Sequence, residues 1–370
     1  MSVAAVIERS RREKESWRYT DVQALLAPLP VGIKPAGAKE PEAGTKARST
    51  ESDGHAFARF LFVDGVLQPD RSATADLPAD ILQGDPSIGY RLVLAGQTCL
   101  VTLPIELRFV TTSSVLETNT RLQVELGENG RLTLIEHHEA PPGATPVAHV
   151  METEIVLHEQ AKLVHGKVMR GNSASAHLAL TRVTVAEGGY YDSFALTRGG
   201  RVTRNEIEAR LTGQLAQCTL NGAMLLRGRE HADTTTHIIH AAPHGTSRQV
   251  YKTVLGGQSH GVFQGKIIVA EGAQKTDGYQ MSRALLLSDQ AEMAAKPELE
   301  IYADDVKCSH GSTVGDLDPE ALFYLRARGL DEAGARGMLI RAFVDEIFDE
   351  IHVPEWRAIC QAEVEGWLDA

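Results

Sequence analysis

From Cys99 to Cys308 the chain offers almost no helical period. Roughly two hundred residues run instead as short segments that alternate apolar with polar, as half-buried strands do. Examples are IELRFV (105–110), RLQVEL (121–126), RLTLIEH (131–137), HLALTRVTVA (177–186) and YYDSFALT (190–197). Further on come TTTHIIHA (234–241), RQVYKTVL (248–255) and GVFQGKIIVA (261–270), with EIEARLTGQLAQCTLNGAMLL (206–226) read as one more segment. Gly, Asn and Asp punctuate them. A sandwich, a barrel or a β-solenoid can bury so many short strands. No exact short repeat selects among the three, but even strand lengths and short turns favour the solenoid.

The flanks differ in character. Residues 1–30 read as helical, with an apolar set at Val22, Leu25, Leu26 and Leu29. Residues 28–54, rich in Pro, Gly, Ala and charge, have the composition of a linker. Phe60, Leu61, Phe62 and Val63 before Asp64-Gly65 predict a short hairpin. After Val314 a helical pattern takes over. Asp318 is an N-cap with Pro319 at the first helical position, Gly329 ends that helix, and Asp331 caps the next. Leu339, Ile340, Phe343, Val344, Ile347, Phe348 and Ile351 form an apolar stripe, and Pro354 opens a last helix toward Trp367. The stripe reads first as packing within the helical unit and second as a docking face for a partner helix. The expected division is 1–98 (N-terminal helical and linker region with a hairpin), 99–314 (β core) and 315–370 (C-terminal helical domain).

Composition narrows the function classes. A formal net charge of −12 lacks the Lys and Arg surplus that displaces phosphate counterions, so nucleic acid and anionic membrane are not expected partners. No apolar run is long enough to span a bilayer, and the first twenty residues do not read as a secretion signal. The expected location is cytoplasmic. Cys99, Cys218, Cys308 and Cys360 lie far apart without CxxC spacing. That argues against a zinc site made by this chain alone and against a disulfide framework.

Gly265-Lys266 resembles the end of a P-loop, but Ile267 stands where Ser or Thr is required and His260 where the leading Gly belongs. GxGxxG and HExxH are absent. His231, His237, His240, His244 and His260 fall close together and read mostly as surface or turn residues, although a solenoid could bring distant ones together. Cys308 and His310 stand apart from these. At i and i+2 in an extended segment, both side chains leave one face. A thiolate beside a neutral imidazole suits Fe–S, Zn or Cu(I). The bland alternative is a buried Cys next to a strand-end His. Asp304 and Asp305, if extended, face opposite ways, so at most one could join. The motif supplies two or three ligands at best, which predicts half a site at a subunit interface.

Longer stretches carry a resemblance: RNEIEARLTGQLAQCTLNG (204–222), HAAPHGTSRQVYKTVLGGQSHGVFQGKIIV (240–269) and residues 274–330, with WRYTD (17–21) and FVDG (62–65) as weaker matches. In these the chain resembles the SufD-type members of the SufB/SufD family of the SUF iron–sulfur cluster assembly system. The resemblance implies a mainly β fold, a right-handed parallel β-helix flanked by an N-terminal helical and linker region and a C-terminal helical domain. It implies a non-catalytic scaffold that pairs with SufB through the β-helix and holds the ATPase SufC through its C-terminal helices. Phe343, Ile347 and Phe348 would support that helical domain. A cluster, or incoming iron, would be held transiently at the SufB interface by His310 of the CSHG motif with Cys308 beside it, SufB adding a cysteine and an acidic residue. No nucleotide would bind this chain. A homodimer in isolation is a further assembly, and a stand-alone metal-dependent β-helix enzyme is the alternative function.

Overall fold

Strands stacked in parallel explain why the helical period vanishes for so long. The computed structural model describes residues 1–27, 57–74, 77, 81–94, 104–112, 117–140 and 146–370. The predicted linker at 28–54 and Cys99 lie outside them. The strands form two parallel-stacked sheets, one of ten strands and one of nine. From Gly89–Leu94 onward successive strands alternate between the sheets, so each pairs in parallel with the strand two places on. The fold is therefore a parallel β-solenoid. One coil takes roughly 30 residues, with Gln217 opposite Thr246, Thr246 opposite Asp277, and Asp277 opposite Lys307.

The segment read as one at 206–226 is two strands, Val202–Leu211 in one sheet and Gln217–Leu226 in the other. A tight corner divides them. Leu215 sits there at φ +58°, and it belongs to a column: Asn129, Gln160, Gly188, Leu215, His244 and Lys275 all adopt left-handed backbone. Each donates its N–H to a carbonyl in the next coil, Gln160 to Glu187, Gly188 to Gln214 and Leu215 to Pro243 among them. These stacked bonds give each corner donor a backbone acceptor in the neighbouring coil. Only one of the six is glycine, so the corner is invisible to a search for glycine punctuation.

Alternation sorts the side chains. In the strand Arg131–Glu139, Leu132 and Leu134 enter the lumen, where they stack with Leu163, Tyr191, Cys218 and Leu220. Ile135 of the same strand faces out and packs with the C-terminal helices. Both outer faces are covered. Helices α1 (Val3–Arg12) and α2 (Val22–Leu26) lay Val3, Val6, Val22 and Leu26 on Ala148, Val150, Leu178 and Val202 of the nine-stranded sheet. There Trp17 stacks on the buried Arg204 guanidinium, 3.8 Å from ring centroid to Cζ, while Arg204 also pairs with Asp233 and Glu206.

Three helices follow the last strand: α3 (Pro319–Ala327), α4 (Glu332–Phe348) and α5 (Pro354–Leu368). Asp318 accepts from the Glu320 and Ala321 amides and Asp331 from that of Gly334, while Gly329 takes φ +96°. The apolar stripe of α4 buries Ile340, Val344, Ile347 and Phe348 with Trp356 of α5 and with Phe194, Leu196 and Val254 of the ten-stranded sheet. Packing thus joins the helices to one another and to the solenoid. Trp356 is seated over Gly166, where a Cβ would come within 2.6 Å of the indole.

The two ends of the solenoid are unlike. At the N-terminal end short antiparallel hairpins finish both sheets. Ala58–Val63 turns through Asp64-Gly65, both left-handed, into Val66–Leu67, and Leu82–Asp85 pairs with Gly89–Leu94. The parallel ladder already includes Ala58–Val63, which pairs with Ile105–Val110. At the C-terminal end the strands Glu292–Ile301 and Lys307–Asp316, ten residues each, are the last of their sheets. Among the described residues no further strand follows either.

Candidate functional site

Cys308 and His310 lie on the terminal strand Lys307–Asp316. Its register puts Cys308 opposite Gly278 and His310 opposite Gln280. Gln280 is fully buried, bonded to Gln249 in the preceding coil and to the Gly265 carbonyl. The two side chains therefore leave the lumen face of the strand, at the mouth of a buried polar column. The i, i+2 geometry read from sequence brings them to one face. His310 is exposed, and among the described residues its side chain has no hydrogen-bond or ion-pair partner.

Cys308 is half-buried. Its sulfur stands 3.3 Å from where a Cβ on Gly278 would lie, and it packs against the small apolar cluster of Ile267, Val269, Ala273 and Ala303. Burial pushes its thiol up from the ordinary value, the Gly278 amide pulls it partly back, and Asp277 raises it again. An undisturbed thiol here is a poor nucleophile and a poor ligand. His310 is the more available donor.

The two aspartates are not in a strand. Asp304 and Asp305 lie in a bend before it, and both are exposed. Asp305 pairs with Lys275, its amide bonds Gln274, and its carbonyl receives the left-handed Lys275 amide. Its carboxylate is committed to closing the last corner, and the alternation argument does not apply to it. His310 and Cys308 therefore offer two ligand atoms at an open end, too few for a tetrahedral centre.

The clustered histidines divide differently from the sequence reading. His244 is an exposed turn residue, but His231 and His240 are buried because their strands are covered on the outer face and at the corner respectively. The solenoid brings His231 opposite His260, with 3.0 Å between their Nδ1 atoms, and Thr20 joins His231 from the N-terminal segment.

A second gathering escaped the sequence reading. His138, His149 and His177 are buried together, each offering a ring nitrogen within 4.8 Å of the others'. His149 and His177 are register partners in adjacent coils of one sheet, and His138 faces them from the other. The signal that could have found them is the coil length itself, which alone places residues 149 and 177 side by side.

Residues 109–343 match the family model described as "SUF system FeS cluster assembly, SufBD core domain". The chain is 32% identical over 366 residues to the iron–sulfur cluster assembly protein SufD of Escherichia coli, covering 92% of this chain and 85% of that one. It is 29% identical to an iron–sulfur cluster assembly SufBD family protein of Synechocystis, covering 92% and 83%. Against the chloroplastic protein ABCI7 of Arabidopsis thaliana it is 31% identical, covering 96% and 82%.

Proposed function

The chain belongs to the SufBD family of the SUF iron–sulfur cluster assembly system, and on that premise we propose that it is a non-catalytic, cytoplasmic scaffold subunit. It pairs with SufB through the open end of its solenoid. His310 receives the nascent cluster or incoming iron there, transiently, and Cys308 supports it. The cluster is cargo shared with SufB, and ATP is hydrolysed in a SufC partner.

The observation that carries this reading is the asymmetry of the ends. Short hairpins finish one end, whereas at the other, among the described residues, two ten-residue strands each have a neighbour on one side only, and the donor pair sits on one of those. A long unpaired edge is a template for another strand. Pro297 lies in the last strand of the nine-stranded sheet and cannot donate to a ladder. Lys307–Asp316 has no proline, so it is the edge to which a SufB strand adds. For SufC, α3 exposes Phe323 and Tyr324, and Met338 of α4 is exposed as well. Phe343, Ile347 and Phe348 act beneath that surface by holding α4 on the solenoid.

The test is iron and acid-labile sulfide in the complex purified anaerobically after co-expression with SufB and SufC, wild type against His310→Ala. Normal assembly with loss of iron and sulfide supports the site. Normal assembly with unchanged content makes His310 structural. Failure of the wild-type chain to form a complex removes the scaffold reading.

A further inference from the structure

We propose that His138, His149 and His177 form a divalent transition-metal site of the Zn2+ type inside the solenoid, separate from the open end. The three rings approach one another with centroids 4.6, 5.0 and 5.2 Å apart. Their strands differ, two in one sheet and one in the other, so donors converge from both walls of the lumen.

The hydrogen bonds fix which nitrogen is free. His138 Nε2 lies 2.8 Å from Glu136 Oε2, and His165 Nε2 lies 2.8 Å from Glu136 Oε1. The Lys167 ammonium faces the same carboxylate. Surrounded by two imidazole nitrogens and an ammonium, Glu136 accepts, so His138 donates from Nε2 and carries its lone pair on Nδ1. That Nδ1 is buried without a partner, as is His177 Nε2. A carboxylate behind a histidine, with the other ring nitrogen bare, is the outer-shell arrangement that orients metal-bound imidazoles.

Neutral imidazole is the form that binds metal. Three nitrogens and no sulfur suit Zn2+, with one position left for water. Nitrogens on a tetrahedral Zn2+ stand about 3.3 Å apart, so side-chain rotation within the present cluster closes the set. Lys167 is the group that opposes a cation. Its ammonium is 4.0 Å from Glu136 and donates to Thr181 Oγ1 at 2.7 Å, and burial lowers its pKa. The cluster is six strands from His310 along the ten-stranded sheet, roughly 29 Å at the usual ladder spacing.

The test uses the full chain, stripped by a chelator and titrated anaerobically with Co2+ as a spectroscopic stand-in for Zn2+. The proposal expects one Co2+ per chain with tetrahedral visible bands and no thiolate charge-transfer band, retained in a Cys308→Ser/His310→Ala double variant. Binding is lost in His149→Gln/His177→Gln, weakened about 10–100-fold in Glu136→Gln, and tightened in Lys167→Met. A thiolate band, loss of Co2+ in the Cys308/His310 variant, or full binding in the His149/His177 variant overturns it. If the latter variant does not fold, the wild-type spectrum and the Cys308/His310 variant still decide.

Discussion

Substituting Gly166 by alanine tests how the C-terminal helices are held. A Cβ there would stand 2.6, 2.9 and 3.0 Å from three atoms of the Trp356 indole. Carbon atoms in comfortable contact are about 3.5–4.0 Å apart, so ring or strand must move by about 1 Å. Trp356 cannot retreat freely, because it is 1% exposed and wedged against Phe194 and His137. Overpacking of this kind costs about 1–3 kcal/mol. Trp356→Ala costs about 3–5 kcal/mol through the cavity it leaves. The two losses should not add. With the indole gone the new methyl group fills part of the cavity, so Gly166→Ala becomes neutral or stabilising in the Trp356→Ala background. The expected coupling is about 1–3 kcal/mol. Guanidinium unfolding of the four proteins, followed by far-UV circular dichroism, measures it. If Gly166→Ala costs the same in both backgrounds, the indole is not what excludes a side chain at residue 166, and the account of helix docking fails.

Glu136→Gln leaves the Lys167 charge buried without its carboxylate, and about 3–5 kcal/mol of stability should be lost in urea melts near neutral pH. The Glu136→Gln/Lys167→Met pair should recover part of it. His240 is buried beside Ser247, and burial lowers its pKa from 6.5 to about 4. The folded value lies below the unfolded one, so its contribution is complete above pH 6.5 and falls away as the pH drops toward 4, by about 1.4 kcal/mol per pH unit. His240→Gln should flatten the stability–pH curve by that slope in this window, and an unchanged slope would refute the assignment. Leu215 is half exposed at φ +58°, and Leu215→Gly should stabilise by about 0.5–1 kcal/mol, read as a raised melting temperature.

Local chemistry made the helices at the C-terminal end legible. Asp318, Pro319, Gly329, Asp331 and Pro354 each do in the structure what their side chains or backbone freedom suggest in isolation. The Asp64-Gly65 hairpin was legible for the same reason. Strand pairing was harder, because it joins residues a whole coil apart and the coils share no side-chain repeat. What repeats is backbone conformation, and Leu215, His244 and Lys275 adopt it without a glycine to advertise it. The Cys308/His310 pair could be read because both residues lie in one strand. His138, His149 and His177 could not, since their meeting depends on the coil length and on the facing of two sheets. Asp305 misled for a related reason: its carboxylate looked available, but the last corner uses it against Lys275.

In a solenoid each coil is stabilised mainly by the coils on either side, so cohesion is nearly a sum of nearest-neighbour terms. Among the described residues, the strand that carries Cys308 and His310 has such a neighbour on one side only. Its amides should exchange with solvent sooner than those of Gln217–Leu226 or Thr246–Leu255 in the middle of the stack. A partner strand laid on that edge would supply the missing neighbour and slow the exchange. On the proposed function, Cys308 and His310 would become rigid as the partner docks, so that ordering of the donors and recognition of the partner would be a single event.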